Sequence, residues 1–171
     1  LEFRRVLFRS YSEHANPQYL TTYVTQNTGV LTSEAYIQRL NNPTPWTLKT
    51  VAAFCNTCRA AGEVIWEHGP KKGYGGHILA IQITELENPS VLTEFLNSLA
   101  NNSEQESAGL LRARLVLTTP NASQLPTAER AVRKGDQNEP SLFLLIEGFS
   151  GETPLRNTYS KITAHIPKLI H

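Results

Sequence analysis

The stretch from residue 76 to residue 162 constrains the fold most, because its apolar residues switch between the two regular periods. Three apolar runs, residues 76–84, 110–118 and 141–149, are rich in branched side chains and have the length of strands. A helix is predicted after the first run and another after the third. The stretch therefore predicts the order strand, helix, strand, strand, helix, which is typical of an α+β domain.

Both predicted helices begin with a capping residue and a proline, Asn88-Pro89 and Thr153-Pro154. The cap accepts a hydrogen bond from the first turn, where the missing N–H of proline has no partner to lose. The first helix should end at residues 101–102. Its apolar stripe consists of Val91, Leu92, Phe95, Leu96 and Leu99. The apolar edge of the second helix consists of Leu155, Tyr159 and Ile162.

The period of two assigns two faces to the second and third strands. One face carries Leu111, Ala113, Leu115, Leu117, Leu142, Leu144 and Ile146. The opposite face carries Arg112, Arg114, Val116, Phe143, Leu145 and Glu147.

The first half of the chain has a weaker pattern. Residues 17–25 predict a strand of aromatic and β-branched residues. A short helix capped by Thr32 or Ser33 should follow and end at residues 41–45. Residues 47–58 alternate loosely and continue to residues 64–66, which fits one long irregular strand or two short ones.

The first ten residues resemble the conceptual translation of a sequencing adapter, so we expect an assembly artefact rather than a native basic strand. They hold three arginines and one glutamate, which is +2 of the formal net charge of +1, and the remainder is at −1. Clustered basic residues are missing from the remainder, so we expect neither a nucleic-acid nor a membrane-surface partner. With no apolar run of membrane-spanning length and no recognisable signal peptide, the default expectation is a cytoplasmic protein.

Two parts of the chain resemble each other. Residues 17–24 align without gaps with residues 140–147, and a short helix with a tyrosine follows each, at a period of about 120 residues. Such a period indicates a duplicated βαββαβ unit. The Gly-rich residues 69–75 are the candidate linker. Residues 11–68 would be the C-terminal half of a first repeat, and residues 76–171 a second repeat without its last strand, so we expect truncation at both ends.

Three motifs resemble those of EthD-like proteins, a group in the dimeric α/β-barrel superfamily. They are P-x-Y-L-x-x-Y at residues 17–23, V-L-x-S-x-x-Y at residues 30–36 and P-W-T at residues 45–47. Residues 127–133 and 145–148 are similar to the looser second repeat of that group. The chain departs from the pattern at Val24, where family members tend to carry glutamate. The acidic and histidine-bearing motif of the family would lie upstream of Tyr11.

The resemblance implies tandem ferredoxin-like repeats that form a dimeric α/β-barrel type arrangement, within one chain or in a homodimer, with the first repeat incomplete. Helices would cover the first of the two strand faces, and the other face would point into the barrel. The barrel-facing set would be Ile78, Ala80, Gln82, Arg112, Arg114, Phe143, Leu145 and Glu147, joined by Leu20, Thr22 and Val24 from the first repeat.

The candidate ligand-binding residues are Gln82, Arg112, Arg114, Phe143, Leu145 and Glu147, because an apolar cavity with a few convergent polar groups is typical of small-molecule sites. Either arginine can pair with Glu147 across neighbouring antiparallel strands. Two interpretations stay open, an ion pair that satisfies itself and a group that contacts a ligand or transfers a proton. In the second case Glu147 is the candidate catalytic residue, as a general base.

Other candidates have simpler interpretations. Cys55 and Cys58 form a lone C-x-x-C pair, which we interpret as incidental. His77 is interpreted as a structural residue at the head of a buried strand. The loop at residues 71–76 lacks a phosphate-binding motif. We expect no metal and no cofactor.

Two functions are therefore expected. The first is binding of a small apolar or aromatic molecule in the barrel, with cofactor-independent oxygenase or degradative chemistry left open. The second is a non-catalytic assembly domain whose barrel is filled by its own side chains. Because a fold alone does not define an activity, the sequence leaves open whether the protein is an enzyme.

Overall fold

The structure, a computed structural model, describes residues 4–13, 15–70, 75–84, 88–101, 110–120, 125–133 and 139–165. The chain divides into two compact units. The first consists of Leu1–Glu63 with Thr119–Glu139, and the second of Val64–Thr118 with Pro140–His171. Much of the predicted linker, the predicted helix end at Asn102 and the chain after residue 165 lie outside the described residues.

The described elements confirm the α+β class and the predicted order of elements from residue 76. The strands are β1 Arg4–Tyr11, β2 Tyr19–Val24, β3 Gly62–His68, β4 His77–Ile83, β5 Leu110–Thr118 and β6 Leu142–Gly148. The helices are α1 Glu34–Asn41, α2 Pro45–Val51, α3 Pro89–Asn101, α4 Ala128–Ala131 and α5 Thr153–His165, with a 3-10 helix at Thr28–Thr32. In the described ranges, no helix combines the length and the apolar character that crossing a bilayer requires.

The second unit is built on a four-stranded sheet with the order β3-β5-β6-β4. Strand β6 is antiparallel to both of its neighbours, and Leu144 lies opposite Ile81 of β4 and Leu115 of β5. Strand β6, the third strand of the predicted pattern, therefore lies between its first two strands, β4 and β5. The sheet is open, and β3 and β4 are its edges.

One face of this sheet carries the hydrophobic core. Side chains from three strands pack with the apolar stripes of α3 and α5, and they are almost fully buried. The core residues are Ile81, Ile83, Leu92, Leu96, Leu115, Leu142, Leu144, Ile146, Leu155 and Ile162. Each strand contributes alternate residues and each helix contributes one stripe, so the two periods in the sequence meet in a single layer.

Two predicted members of the β5 core face are placed differently. The register shifts between Leu110 and Arg112, which marks a β-bulge in β5. The extra residue of the bulge resets the alternation of the two faces. As a result, Leu110 packs against the core in place of Leu111. Leu117 was expected under the helices but is 41% exposed. It lies next to the last residue of β5, which ends at Thr118.

The apolar edge of α5 also differs by one residue from the prediction. Leu155 and Ile162 are buried as expected, but Thr158 lies between them, and Tyr159 is 40% exposed. A helical stripe can pass through either i+3 or i+4 from Leu155, and the packing selects i+3. The Thr158 hydroxyl donates to the Pro154 carbonyl at 2.9 Å, which satisfies it inside the helix.

The predicted strand over residues 47–58 is wrong in its first part, because residues 45–51 form α2. Thr44 caps this helix by accepting the Thr47 N–H at 3.2 Å, and Pro45 occupies the first turn. This is the cap and proline signal that correctly predicted α5. Residues 64–66 do form a strand, within β3.

In the first unit, β2 pairs antiparallel with β1 in a two-stranded sheet. Strand β1 includes most of the segment expected to be an adapter translation, and that expectation stays a prediction. The repeat hypothesis aligned β2 with β6, which has two partners in a larger sheet. The duplicated arrangement therefore also stays a prediction, whereas the helix after β2 is confirmed, with Ser33 at its cap.

The two leucines Leu115 and Leu117 provide a matched test of the helix-covered face. Leu115→Ala is expected to lower the free energy of unfolding by about 2–5 kcal/mol, because it empties a fully buried position. Leu117→Ala should lower it by about 1 kcal/mol or less. Urea unfolding followed by circular dichroism measures both losses. Equal losses would mean that Leu117 belongs to the core.

Candidate functional site

The candidate site lies on the sheet face opposite the core, where β5 and β6 run side by side. The period of two that sends Leu144 and Ile146 into the core sends Glu147 to the other face. On β5 the same alternation places Arg112 and Arg114 there, and the register sets Arg112 directly opposite Glu147. The pattern of the two strands alone therefore brings two guanidinium groups to one carboxylate.

Both arginines bind the same oxygen of Glu147. Arg112 donates to Oε1 from Nε at 3.1 Å and from Nη2 at 2.7 Å, and Arg114 donates from Nη2 at 2.7 Å. The side chains of Glu147, Arg112 and Arg114 are 2%, 5% and 12% exposed, respectively. The expected pairing across the two strands is confirmed. At this burial the hydrogen bonds compensate for a large loss of hydration.

The second oxygen of Glu147 accepts a backbone hydrogen bond from Gly75, with 3.2 Å between the Gly75 nitrogen and Oε2. Gly75 can reach this place because it has no side chain. A Cβ atom at Gly75 would lie 2.5 Å from the Gly148 carbonyl oxygen and 3.1 Å from Cβ of Glu147. The chain entering β4 therefore lies against Glu147, and both carboxylate oxygens are occupied.

The remaining predicted ligand-binding residues lie on the same face in cross-strand rows. Gln82 is opposite Phe143, and both are half-buried. Leu145 is opposite Arg114 on one side and Ala80 on the other. The register thus places all six residues of the predicted set on one face of β4, β5 and β6, and hydrogen bonds join three of them, Arg112, Arg114 and Glu147. Leu20, Thr22 and Val24, expected from the first repeat, belong to β2 in the other unit.

Gly75 is the site residue that sequence reasoning missed. Residues 69–75 were interpreted as a linker because they are polar and rich in glycine. A glycine directly before a buried strand is also a signal of close backbone approach, since a larger residue would not fit there. That signal could have pointed to Gly75, but the sequence could not say which side chain it approaches.

The weaker candidates do not form a second site. Cys55 is exposed, and with Cys58 it lies between α2 and β3 rather than on a strand, so the predicted strand setting of this pair is wrong. His77 begins β4 as predicted, and its side chain is exposed. Within the described ranges, no group of three or more His, Cys, Asp or Glu side chains is placed to hold a metal ion.

Residues in and beside the family-like motifs lie at helix ends. Ser33 occupies the N-cap position of α1, and its hydroxyl donates to the Val30 carbonyl at 2.7 Å. Thr44, which precedes the P-W-T motif, caps α2. Thr127 caps α4 by accepting the Arg130 N–H at 3.3 Å. The tyrosine of the second motif, Tyr36, accepts a hydrogen bond from Arg59 at 2.6 Å. These contacts are structural and assign no activity to the motifs.

Comparisons with known proteins do not identify a family, because no family model matches the chain and neither a curated protein nor a solved structure matches it. The EthD-like resemblance therefore stays a prediction.

Glu147 pairs with arginines in a buried cluster, whereas Glu152 forms an exposed ion pair in the same unit. The two glutamates therefore test what burial of an ion pair contributes to the free energy of unfolding. Glu147→Gln is expected to lower the free energy of unfolding by about 3 kcal/mol, because it removes the negative charge that both buried guanidinium groups bind. Glu152 pairs with Arg156 at 2.8 Å, and its side chain is 62% exposed. Glu152→Gln should therefore lower that free energy by about 1 kcal/mol or less in denaturant unfolding. A small loss for Glu147→Gln would argue against a charged, fully buried cluster.

The adjacent glycines Gly75 and Gly76 test the close backbone approach. Gly75→Ala is expected to destabilise the protein by about 1–3 kcal/mol, because the new methyl group would overlap the Gly148 backbone. At Gly76 a Cβ atom meets nothing within 4 Å, so Gly76→Ala should be neutral or stabilise the fold by about 0.5 kcal/mol. Thermal and urea unfolding measure both, and the same change in both variants would contradict this packing.

Proposed function

We propose that the protein binds a small apolar or aromatic molecule on the sheet face opposite the core. The observation that carries this proposal is the burial of that face along β6. Leu145 is 9% exposed and Glu147 is 2% exposed, although both point away from α3 and α5. A sheet face that meets only solvent carries exposed polar residues. This face has a buried leucine beside a buried charge cluster, which is the mixture found in small-molecule sites.

The apolar part of the face continues from the charge cluster toward the other end of β6. Phe143 and Leu145 lie next to Gln82 and Ala80 on β4. Ala80 is exposed, so solvent reaches the sheet surface directly beside Leu145. An aromatic ligand lying along Phe143 and Leu145 would have the charge cluster at one end and the amide of Gln82 at the other.

The proposal includes the EthD-like architecture, in which a second sheet covers this face. The neighbouring positions of β5, β6 and β4 support it, because a βαββαβ unit places its third strand between its first and second. Among the described strands, β4 has β6 on one side and no partner on the other, which is where the last strand of such a unit pairs. The covering sheet would come from the first repeat or from a second copy of the chain.

Within this proposal Glu147 positions the arginines and is not a proton acceptor. Its Oε1 accepts three N–H donors, and its Oε2 accepts a fourth from Gly75. A general base needs an oxygen that can approach the substrate. The proposed function is therefore binding, with no catalytic step assigned to this carboxylate.

The same geometry favours one alternative, a non-catalytic assembly domain. A carboxylate that is saturated by its own neighbours is what a purely structural cluster requires. In that case the face would be filled by side chains, and a small molecule would find no room.

Titration of the folded protein with N-phenyl-1-naphthylamine, a neutral aromatic probe whose fluorescence rises in apolar sites, separates the two functions. Saturable binding is expected. Phe143→Ala should weaken it about 5-fold to 10-fold, because an aromatic contact contributes about 1 kcal/mol. Phe149→Ala is the matched control, since Phe149 is 64% exposed and lies beyond the end of β6, and it should leave binding unchanged.

Unfolding of both variants in urea shows whether either is destabilised enough to affect binding. The absence of saturable binding to the folded wild-type protein would reject the binding function and leave the assembly domain. Equal losses in the two phenylalanine variants would place the probe elsewhere on the molecule.

A further inference from the structure

We infer that the outer edge of β4 is a dimer interface, and that β4 of a second copy of this chain pairs with it in antiparallel orientation. The inference goes beyond the proposed ligand, because it concerns the edge of the four-stranded sheet and not its face. The proposed architecture adds a strand at this edge, and the inference names the source of that strand. Three observations carry it, namely the composition of β4, the charges of β3 at the opposite edge and the fit of β4 to its own copy.

The first observation is that β4 is an unprotected edge strand. It pairs with β6 in unbroken register from His77 to Ile83, and among the described strands it has no partner on its other side. Its sequence contains no aspartate, glutamate, lysine, arginine or proline. Charged residues, prolines and bulges are the features by which natural edge strands avoid pairing with another chain. The outer edge of β4 has none of these features, so its backbone is suited to pairing with a further strand.

The second observation is that the opposite edge of the same sheet is protected. Strand β3 includes two glutamates, Glu63 and Glu67, and both are exposed. Antiparallel pairing of β3 with its own copy about its central residue, Ile65, would place Glu63 of each chain directly opposite Glu67 of the other. Like charges that lie directly opposite each other destabilise a strand pair. The charges of the sheet therefore disfavour self-pairing at β3 and permit it at β4.

The third observation is that β4 fits its own copy. Antiparallel pairing about its central residue, Ala80, sets Ile78 of each chain opposite Gln82 of the other, without a charge in the pair. On the other face Leu79 lies opposite Ile81, and both pack in or against the hydrophobic core of their own unit. A two-fold axis normal to the sheet keeps the covering helices of both copies on one side. The two cores therefore continue each other in one sheet.

Closure favours this pairing over contacts between the unlike edges β3 and β4. A contact between unlike edges repeats from copy to copy and forms an open filament unless its rotation closes a ring. A two-fold pair uses the β4 edge of each copy once and is complete with two chains. The charged β3 edge then stays outside the interface. The expected assembly is therefore a dimer.

Opposite charges introduced at Ala80 test the interface, because this residue meets its own copy at the two-fold axis. Ala80 is exposed, and charged side chains are common on edge strands, so Ala80→Lys and Ala80→Glu should fold. Each variant alone should dimerise about fivefold more weakly than the wild type, because like charges oppose each other. Their equimolar mixture should form a heterodimer about tenfold tighter than either variant homodimer. Sedimentation velocity over a range of concentrations measures the dissociation constants.

The matched control is the pair Ile65→Lys and Ile65→Glu, because Ile65 is the central residue of β3 and is 40% exposed. Neither control variant should change the dissociation constant, and their mixture should show no gain in affinity. Urea unfolding confirms that all four variants are folded. A preference for the mixed pair at Ile65 instead of Ala80 would place the interface at the other edge and overturn the inference.

Hydrogen exchange of the wild-type protein tests the same interface without a substitution. When the concentration is raised from below to above the dissociation constant, the amides of β4 that point away from β6 should exchange more slowly, because they become hydrogen-bonded to the second copy. The amides of β3 should exchange at an unchanged rate.

The remaining outcomes also decide. A wild-type protein that stays monomeric at every concentration overturns the inference, and so does a dimer whose β4 amides exchange as fast as those of the monomer. Homodimers of the Ala80 variants that are as tight as the mixed dimer overturn the two-fold pairing about this residue. Filaments in which both β3 and β4 are protected from exchange identify pairing of unlike edges and also overturn it. The titration with N-phenyl-1-naphthylamine tests the proposed ligand independently of these results.

Discussion

The structure of the second unit depends on the burial of β6 on both faces. A strand in the middle of a sheet needs partners for its backbone and cover for two rows of side chains. On one face Leu142, Leu144 and Ile146 meet α3 and α5, so the hydrophobic effect provides the cover. On the other face Leu145 and Glu147 are also buried, and that requires a different solution for the charge.

That solution is a compact polar cluster at the end of β6, where Gly75 approaches. Glu147 receives hydrogen bonds from two guanidinium groups and from a backbone N–H, which replace the water lost on burial. Hydrogen bonds are directional. Those of the cluster therefore specify the register of β5 and the position of the chain at the start of β4 more strictly than apolar contacts would.

The local signals in the chain predicted the second unit well. Asn88-Pro89 and Thr153-Pro154 marked the beginnings of α3 and α5, and alternation marked three strands, because those patterns depend on neighbouring residues. At Thr44-Pro45 the same cap and proline signal begins α2, whereas the loose alternation of residues 47–58 predicted a strand. Leu117 and Tyr159 were assigned to apolar faces but are exposed, because a period assigns a residue to a face and does not show whether packing buries it.

From residue 76 onward, the sequence by itself predicted the main elements, their order and which residues of β5 and β6 share a face, because these follow from the periods of the backbone. It also placed Arg112, Arg114 and Glu147 on one face. Only the tertiary structure decided that both arginines share one carboxylate oxygen and that Gly75 donates to the other. Those contacts depend on strand register, a bulge and the close approach of residues far apart in the chain, and no local pattern encodes such distances.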